Sequence, residues 1–324
     1  MTIYKVNLSE KRKGNPACGR GKGLVEIMKK LVGLLPALSG ILWGSAGVFV
    51  RDLTELGMDD YTLLSSRMIV AAAVMFVGIC LYDRSLLKIR LKDWWIFVGG
   101  GVLGMFGLSF CYNIAIGQLT LSLAAVLISL SPVFVLLLAA VLFHEKITGK
   151  KVVCMAVALA GCALTSGILE SASGMQWTVP GIIIGVMGAF FYGLYSIFTK
   201  VAMDRGYHSF TIILYCITVV AIVLLPFTDW GFLARTVPAG GPSLWFFMLL
   251  HSLCTSVLPY VCYTVGLKYM DAGKASILAA CEPVAAMVFG ILFYREMPTV
   301  LSLAGLFLTV AALIVLGMPD KKRA

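Results

Sequence analysis

The chain has 324 residues, 60% of them hydrophobic and only 13% charged. A water-soluble domain cannot hide so large an apolar share, whereas a bilayer accepts it, so a soluble enzyme or receptor domain is excluded. The formal charge of +10 is spread over the segments between apolar runs rather than gathered in one block, which argues for membrane topology and against nucleic-acid binding.

In chain order, residues 1–30 are polar, basic and Gly/Pro-bearing, and are expected to form a cytoplasmic tail without a fixed fold. Met28 directly precedes Lys29-Lys30 and the first apolar run, so it is a candidate start; the intact mass of the native protein tests this. Asn7-Leu8-Ser9 has the pattern of a glycosylation acceptor but falls in the tail and is set aside. Ten apolar runs follow, each long enough to cross a hydrocarbon core of about 30 Å. They predict helices near Leu31–Val50, Tyr61–Tyr82, Trp94–Ile116, Thr120–Phe143, Lys151–Leu169, Thr178–Ala202, Ser209–Phe227, Ser243–Leu267, Lys274–Tyr294 and Thr299–Gly317. Lys151 and Lys274 read as end anchors rather than buried residues. The first run is long enough to span and lacks the cleavage pattern of a signal peptide. Connections are short: Gly117–Leu119 joins the third and fourth runs, and Arg295–Pro298 the ninth and tenth. The longest, Thr228–Pro242, carries Trp230, Phe232 and Leu233 and reads as an interfacial anchor. No length remains for a soluble module.

The chain repeats itself. Residues 43–62 match residues 192–211 without a gap: Trp43-Gly44 falls on Tyr192-Gly193, Arg51 on Lys200 and Gly57 on Gly206. A second match is offset by two more residues and places Cys111-Tyr112 on Cys262-Tyr263, Pro132 on Pro283, Phe143 on Tyr294 and Glu145 on Glu296. The expected repeats are 31–171 and 172–320, five spans each. Five is odd, so the second repeat enters the membrane from the opposite side, and the two are inverted. With the N-terminus inside, 22 of the 26 Lys and Arg lie in cytoplasmic segments; Arg51, Arg235 and Arg295 lie outside, and Arg67 falls within a span. Both termini are therefore expected in the cytoplasm of a cell membrane, with the basic loops against anionic headgroups. Inverted duplication implies a carrier with its substrate site between the halves.

Nine cysteines include no Cys-x-x-Cys and read as small buried hydrophobes. His144-Glu145 lacks the second histidine of a zinc motif, and no metal or cofactor is expected. Glu145 and Glu296 read as helix terminators or partners of Lys146 and Arg295. Gly99-Gly100-Gly101, Gly104 and Gly107 read as a close helix–helix contact, not a nucleotide loop.

Glu282 is the acidic side chain well inside a span, where an ionisable group marks a pathway or pairs with a neighbour. Pro283 and Pro132 each free a carbonyl one turn back and kink their helices. Ser131 beside Pro132 is the neutral counterpart of Glu282. Arg67 can snorkel, pair with a buried acid or bind a substrate carboxylate. Trp43, Tyr112, Tyr192, Tyr195, Tyr260 and Tyr263, with Asn113, are candidates to line a pocket, or else pack the core. His251 is the histidine inside a span; it suits proton handling with Glu282, or packing.

Ser131-Pro132 followed by Phe143-His144-Glu145, and Glu282-Pro283 followed by Tyr294-Arg295-Glu296, together with Trp43-Gly44 and Arg67, resemble the EamA type of the drug/metabolite transporter superfamily. The resemblance runs from about Leu31 to Gly317. It implies an all-α membrane protein of ten helices in two inverted five-helix repeats, with spans one, three, four, six, eight and nine around a central cavity. It implies a carrier of amino acids, other metabolites or toxic compounds, often an exporter. Amino-acid export is the expected activity and export of lipophilic drugs the alternative. An intramembrane enzyme would need a nucleophile and base at membrane depth, and none is visible.

Overall fold

The computed structural model of the protein describes residues 32–116, 118–119, 121–166, 169, 178–295 and 297–318. These form a helical bundle, and no strand occurs among them. The main helices are α1 (Val32–Glu55), α2 (Asp60–Tyr82), α3 (Leu91–Ala115), α4 (Val126–Phe143), α5 (Gly149–Thr165), α6 (Val179–Asp204), α7 (Ser209–Phe227), α8 (Gly241–Leu267), α9 (Ala272–Tyr294) and α10 (Val300–Gly317). Nine of the described helices have the length and apolarity to cross a bilayer. The other, α5, has 17 residues, at the short end of what spans.

Side-chain caps explain several starts. The Asp59 carboxylate accepts the Tyr61 and Thr62 N–H groups, both at 3.0 Å. Thr148, Thr178 and Thr299 hydroxyls accept the N–H of Lys151, Gly181 and Ser302. Each satisfies an amide that the first helical turn leaves without a partner. The ends carry the duplication. Gly57 and Gly206 close α1 and α6 in the left-handed region, at φ 90° and 86°. His144 and Arg295 close α4 and α9 at φ 54° each. These are equivalent positions in the two sequence matches.

The interior repeats as well. π-helical turns distort α3 at Gly99–Phe106 and α8 at Leu253–Val257. The helix is broken at Ser129–Leu130 in α4 and at Ala280–Cys281 in α9, just before Ser131-Pro132 and Glu282-Pro283. Helix α3 packs on α6, α4 on α6, and their counterparts α8 and α9 pack on α1. Helices α2 and α7 pair, as do α5 and α10. The last pair interlocks through Gly161 and Gly305: a Cβ on Gly305 would meet the Thr165 backbone N at 2.6 Å. Close backbone approach through small residues holds helices together where no hydrophobic force acts between them.

Several expectations are corrected. Helix α1 continues past Val50 to Glu55, so Arg51 belongs to a helix and not to a loop. Segment Thr228–Pro242 contains a helix, Trp230–Ala239, capped by Asp229. It is tied to α2, because Thr228 donates to Ser65 Oγ at 2.6 Å and the Asp229 N–H to Thr62 Oγ1 at 2.8 Å. Lys151 is buried rather than a loose anchor, and its ammonium meets Asp271 at 2.8 Å. Asp93, passed over in the sequence, is a fully buried acid at the start of α3. Arg205, Arg90 and the Tyr207 hydroxyl hold it, joining the α2–α3 and α6–α7 connections. Leu169 is described, but residues 170–177 of the expected repeat junction lie outside the described residues, as do Glu296 and the tail with Met28.

Candidate functional site

A cavity of about 1200 Å³ opens at the end of the bundle where α1 meets α2 and α9 meets α10. Arg51, Thr54, Glu55, Asp60, Met297 and Thr299 surround its mouth. Its walls descend between the repeats to Ser131, Ser196 and Tyr263. Residues from spans one, three, four, six, eight and nine line it, as the resemblance implies, and α2 adds Leu63, Leu64 and Arg67.

Of the residues singled out in the sequence, Trp43, Arg67, Tyr112, Asn113, Ser131, Pro132, Tyr192, Tyr260, Tyr263, Glu282 and Pro283 all face this cavity. Tyr195 and His251 do not. Tyr195 is 1% exposed and stands behind the wall, its hydroxyl 2.9 Å from Thr264 Oγ1. His251 is also 1% exposed and stacks on Phe49 with ring centroids 5.3 Å apart.

The aromatic residues form one group. The Trp43 indole lies 5.2 Å from the Tyr260 ring, 5.7 Å from Tyr263 and 5.9 Å from Tyr192. Such edge-on and tilted contacts hold large rings in fixed orientation. Trp43 sits at the turn where α1 relaxes at Ser45, whose hydroxyl donates to the Leu42 carbonyl at 2.7 Å. Gly44 sets the α1–α9 distance: a Cβ there would meet Ala285 Cβ at 2.6 Å and the Glu282 carbonyl oxygen at 2.7 Å.

Below the mouth, two opposite charges share the cavity. Glu282 begins the second half of α9, where the helix N-terminus favours a carboxylate. Arg67 faces it from α2, and the two interact electrostatically. Arg67 does not snorkel. Its Nη1 donates to Thr255 Oγ1 at 3.3 Å, and Thr255 donates to the His251 carbonyl at 2.7 Å. Thr255 lies in the π-helical turn of α8, a distortion that often accompanies function. Arg67 Nε is buried and has no hydrogen-bond partner among the described residues. A buried donor without a partner carries a desolvation cost that an incoming acceptor relieves. Cation, carboxylate and aromatic wall together suit a small zwitterion.

The opposite end is sealed. Glu145 does not pair with Lys146; it meets Lys200 at 2.6 Å. Its carboxylate also accepts the N–H groups of Ala272 at 2.9 Å and Gly273 at 3.3 Å, capping α9 from the other repeat. Asp271, the residue placed to cap α9, is instead engaged by Lys151. Nothing in the local sequence announces a partner 55 residues away. Thr255 and Ser196 were likewise missed, although Ser196 occupies the position equivalent to Gly47, which the repeat alignment makes visible.

Comparison with known proteins agrees with this geometry. The EamA-like transporter family matches residues 31–167 and 179–318, one copy per repeat. A protein of Archaeoglobus fulgidus named as an uncharacterized transporter is 25% identical over 284 residues, 86% of this chain and 93% of its own length. A Streptantibioticus cattleyicolor protein named as a probable terminal-alkyne amino-acid exporter is 24% identical over 286 residues, 86% of this chain and 91% of its own. A solved crystal structure superposes with a TM-score of 0.72 at 18% identity, covering 89% of this chain and 96% of that one, which attests the fold. Two family matches, one on each half of a duplicated helical membrane bundle, establish that the chain belongs to the EamA-like transporter family, within the drug/metabolite transporter superfamily, and is a transporter and not an enzyme.

Proposed function

We propose that the protein exports small organic metabolites, amino acids foremost, by alternating access of one central site. The observation that carries this reading is the presence of Arg67 and Glu282 together in a single aromatic-walled cavity between the repeats. The arginine receives the carboxylate, Glu282 the ammonium, and Trp43, Tyr192 and Tyr260 the side chain. Ser131, Asn113, Tyr112 and Tyr263 supply neutral polar contacts. The breaks before Pro132 and Pro283 give each repeat a hinge at the depth of the site. The amino-acid relative from Streptantibioticus cattleyicolor lends support at the level of substrate class. The charge bias of the connections supports an orientation with the open mouth outside the cytoplasmic membrane, both termini inside and the basic loops against anionic headgroups.

A multidrug exporter is the second reading, favoured by the aromatic wall and one carboxylate. The Arg67 guanidinium opposes it, because a lipophilic cation would face a buried positive charge.

Flux from proteoliposomes loaded with a mixture of amino acids, other metabolites and lipophilic cations tests the assignment. Amino acids leaving the wild type and retained by Glu282→Gln support it. Selective loss of the cations would transfer the assignment to drugs. A pH gradient in the same assay separates proton coupling through Glu282 from facilitated diffusion. The burial of His251 away from the cavity makes it a second-rank proton carrier.

A further inference from the structure

The repeat makes each half a reference for the other. The first match sets Ala46 and Gly47 of α1 on Tyr195 and Ser196 of α6. The second sets Tyr112 and Asn113 of α3 on Tyr263 and Thr264 of α8. In the second repeat these four residues are joined: the Ser196 and Tyr263 hydroxyls are 2.7 Å apart, and those of Tyr195 and Thr264 2.9 Å. All four are at most 2% exposed. In the first repeat the equivalent residues, Ala46, Gly47, Tyr112 and Asn113, all line the open cavity. Among the described residues, and leaving aside its chain neighbours and its own helix backbone, no atom lies within 4 Å of where a Cβ on Gly47 would stand.

The same contact is thus closed between α6 and α8, toward the sealed end, and open between α1 and α3, toward the mouth. The ring-and-cation pairs outside it are alike at both ends. Lys200 stands 5.4 Å from the Phe143 ring, and Arg51 stands 4.1 Å from the Tyr294 ring. What differs is chemistry at the contact. Tyr195 and Ser196 each offer a hydroxyl to the facing helix; Ala46 and Gly47 offer none.

We infer that the α6–α8 contact and its α1–α3 counterpart are the two gates of the transport cycle, and that the missing hydroxyls at Ala46 and Gly47 hold the protein in the state open at the α1–α2 end. This rests on the alternating-access reading above. When the mouth closes, Tyr112 and Asn113 pack over Gly47 and Ala46 without the two hydrogen bonds that close the other gate. A buried hydrogen bond shifts such an equilibrium by about fivefold. The preference for the observed state is therefore written into four side chains, and one substitution redresses it. Gly47→Ser supplies the missing hydroxyl at a position with empty space around it. Ser196→Ala removes the matching hydroxyl from the closed gate.

The test is a spin-label distance across the mouth, between Leu56→Cys and Gln118→Cys, in full-length protein with its native cysteines replaced. Both positions lie at the α1–α2 end, just beyond the C-terminal ends of the open gate's helices α1 and α3. Gly47→Ser and Ser196→Ala are each expected to raise the short-distance population about fivefold, and together more than either alone. Thermal unfolding of each labelled variant checks that it is folded. Distance distributions unchanged by both substitutions in folded protein overturn the inference. If flux is intact while the distances do not move, the gate assignment falls and the carrier reading stands. If the distances move and no solute crosses, the gates stand and the choice of solute falls.

Discussion

Gly44 and Gly47 lie one turn apart on α1, and the same substitution is predicted to have opposite effects at the two. A methyl on Gly44 would sit 2.6 Å from Ala285 Cβ, 2.7 Å from the Glu282 carbonyl oxygen and 2.8 Å from the Ala286 amide nitrogen. Two of these atoms are backbone, so α9 as a whole must retreat. Overpacking of this kind costs about 1–3 kcal/mol. Gly47 has no neighbour within 4 Å of the added methyl, so Gly47→Ala gains helix propensity of up to about 1 kcal/mol without a clash. The difference, roughly 1–4 kcal/mol, is at least about fivefold in the folding equilibrium. A thiol-reactive dye reads it, because Cys111, Cys154, Cys162, Cys216 and Cys281 are buried and react on unfolding. Gly44→Ala should unfold several degrees below the wild type and Gly47→Ala at or above it. Because α9 carries Glu282, Gly44→Ala should also lower flux below the level that its stability explains. If Gly44→Ala melts with or above the wild type, the α1–α9 contact does not have the closeness described and the reasoning fails.

Three further outcomes are predicted. Gly305→Ala, whose methyl would meet the Thr165 amide nitrogen at 2.6 Å, should lower stability by about 1–3 kcal/mol, seen as a lower melting temperature in the same dye assay. Arg67→Gln should weaken solute binding ~10–100-fold, the worth of a hydrogen bond to a charged group; equilibrium binding of the solute found in the flux screen measures it, with Thr255→Val expected to have a smaller effect. His208 caps α7 by accepting the Phe210 N–H at 3.3 Å. Burial, and then the charge of Lys268, push its pKa below the ordinary value of 6.5. The neutral form is the one that caps, so this stabilisation is present above about pH 6.5 and is lost as pH falls through the lowered pKa. Melting temperatures at pH 5 and pH 7.5 should differ less for His208→Asn, which caps without titrating.

Much of the fold could be read before the structure because lipid forces a simple code. An apolar run of about twenty residues has little choice but to be a helix, and equal halves with matched Gly57/Gly206 and Pro132/Pro283 announce the duplication. Site residues were legible where the bilayer makes chemistry conspicuous: Arg67 and Glu282 stand out as ionisable groups at depth. What stayed hidden depends on the third dimension. Glu145 and Lys200 look like ordinary helix-end charges until two repeats are packed together. Tyr195 and Tyr192 are three residues apart on one helix and looked equally suited to the wall. Their directions differ, and Tyr195 turned to Thr264 instead. Lys151 resembled a snorkelling anchor because its partner, Asp271, arrives from the other repeat.

The claim that solute passes through this cavity is tested most directly at Gly47, which faces open space in it. None of the described native cysteines lines the cavity, so Gly47→Cys introduces a unique thiol there. Flux of the solute that the wild type carries would be measured in proteoliposomes before and after treatment with a membrane-impermeant methanethiosulfonate, and again after reduction. Gly47→Cys should transport, lose flux on modification and regain it on reduction, while the wild type is indifferent to the reagent. Full modification, verified by mass, with flux unchanged would show that the solute does not take this route.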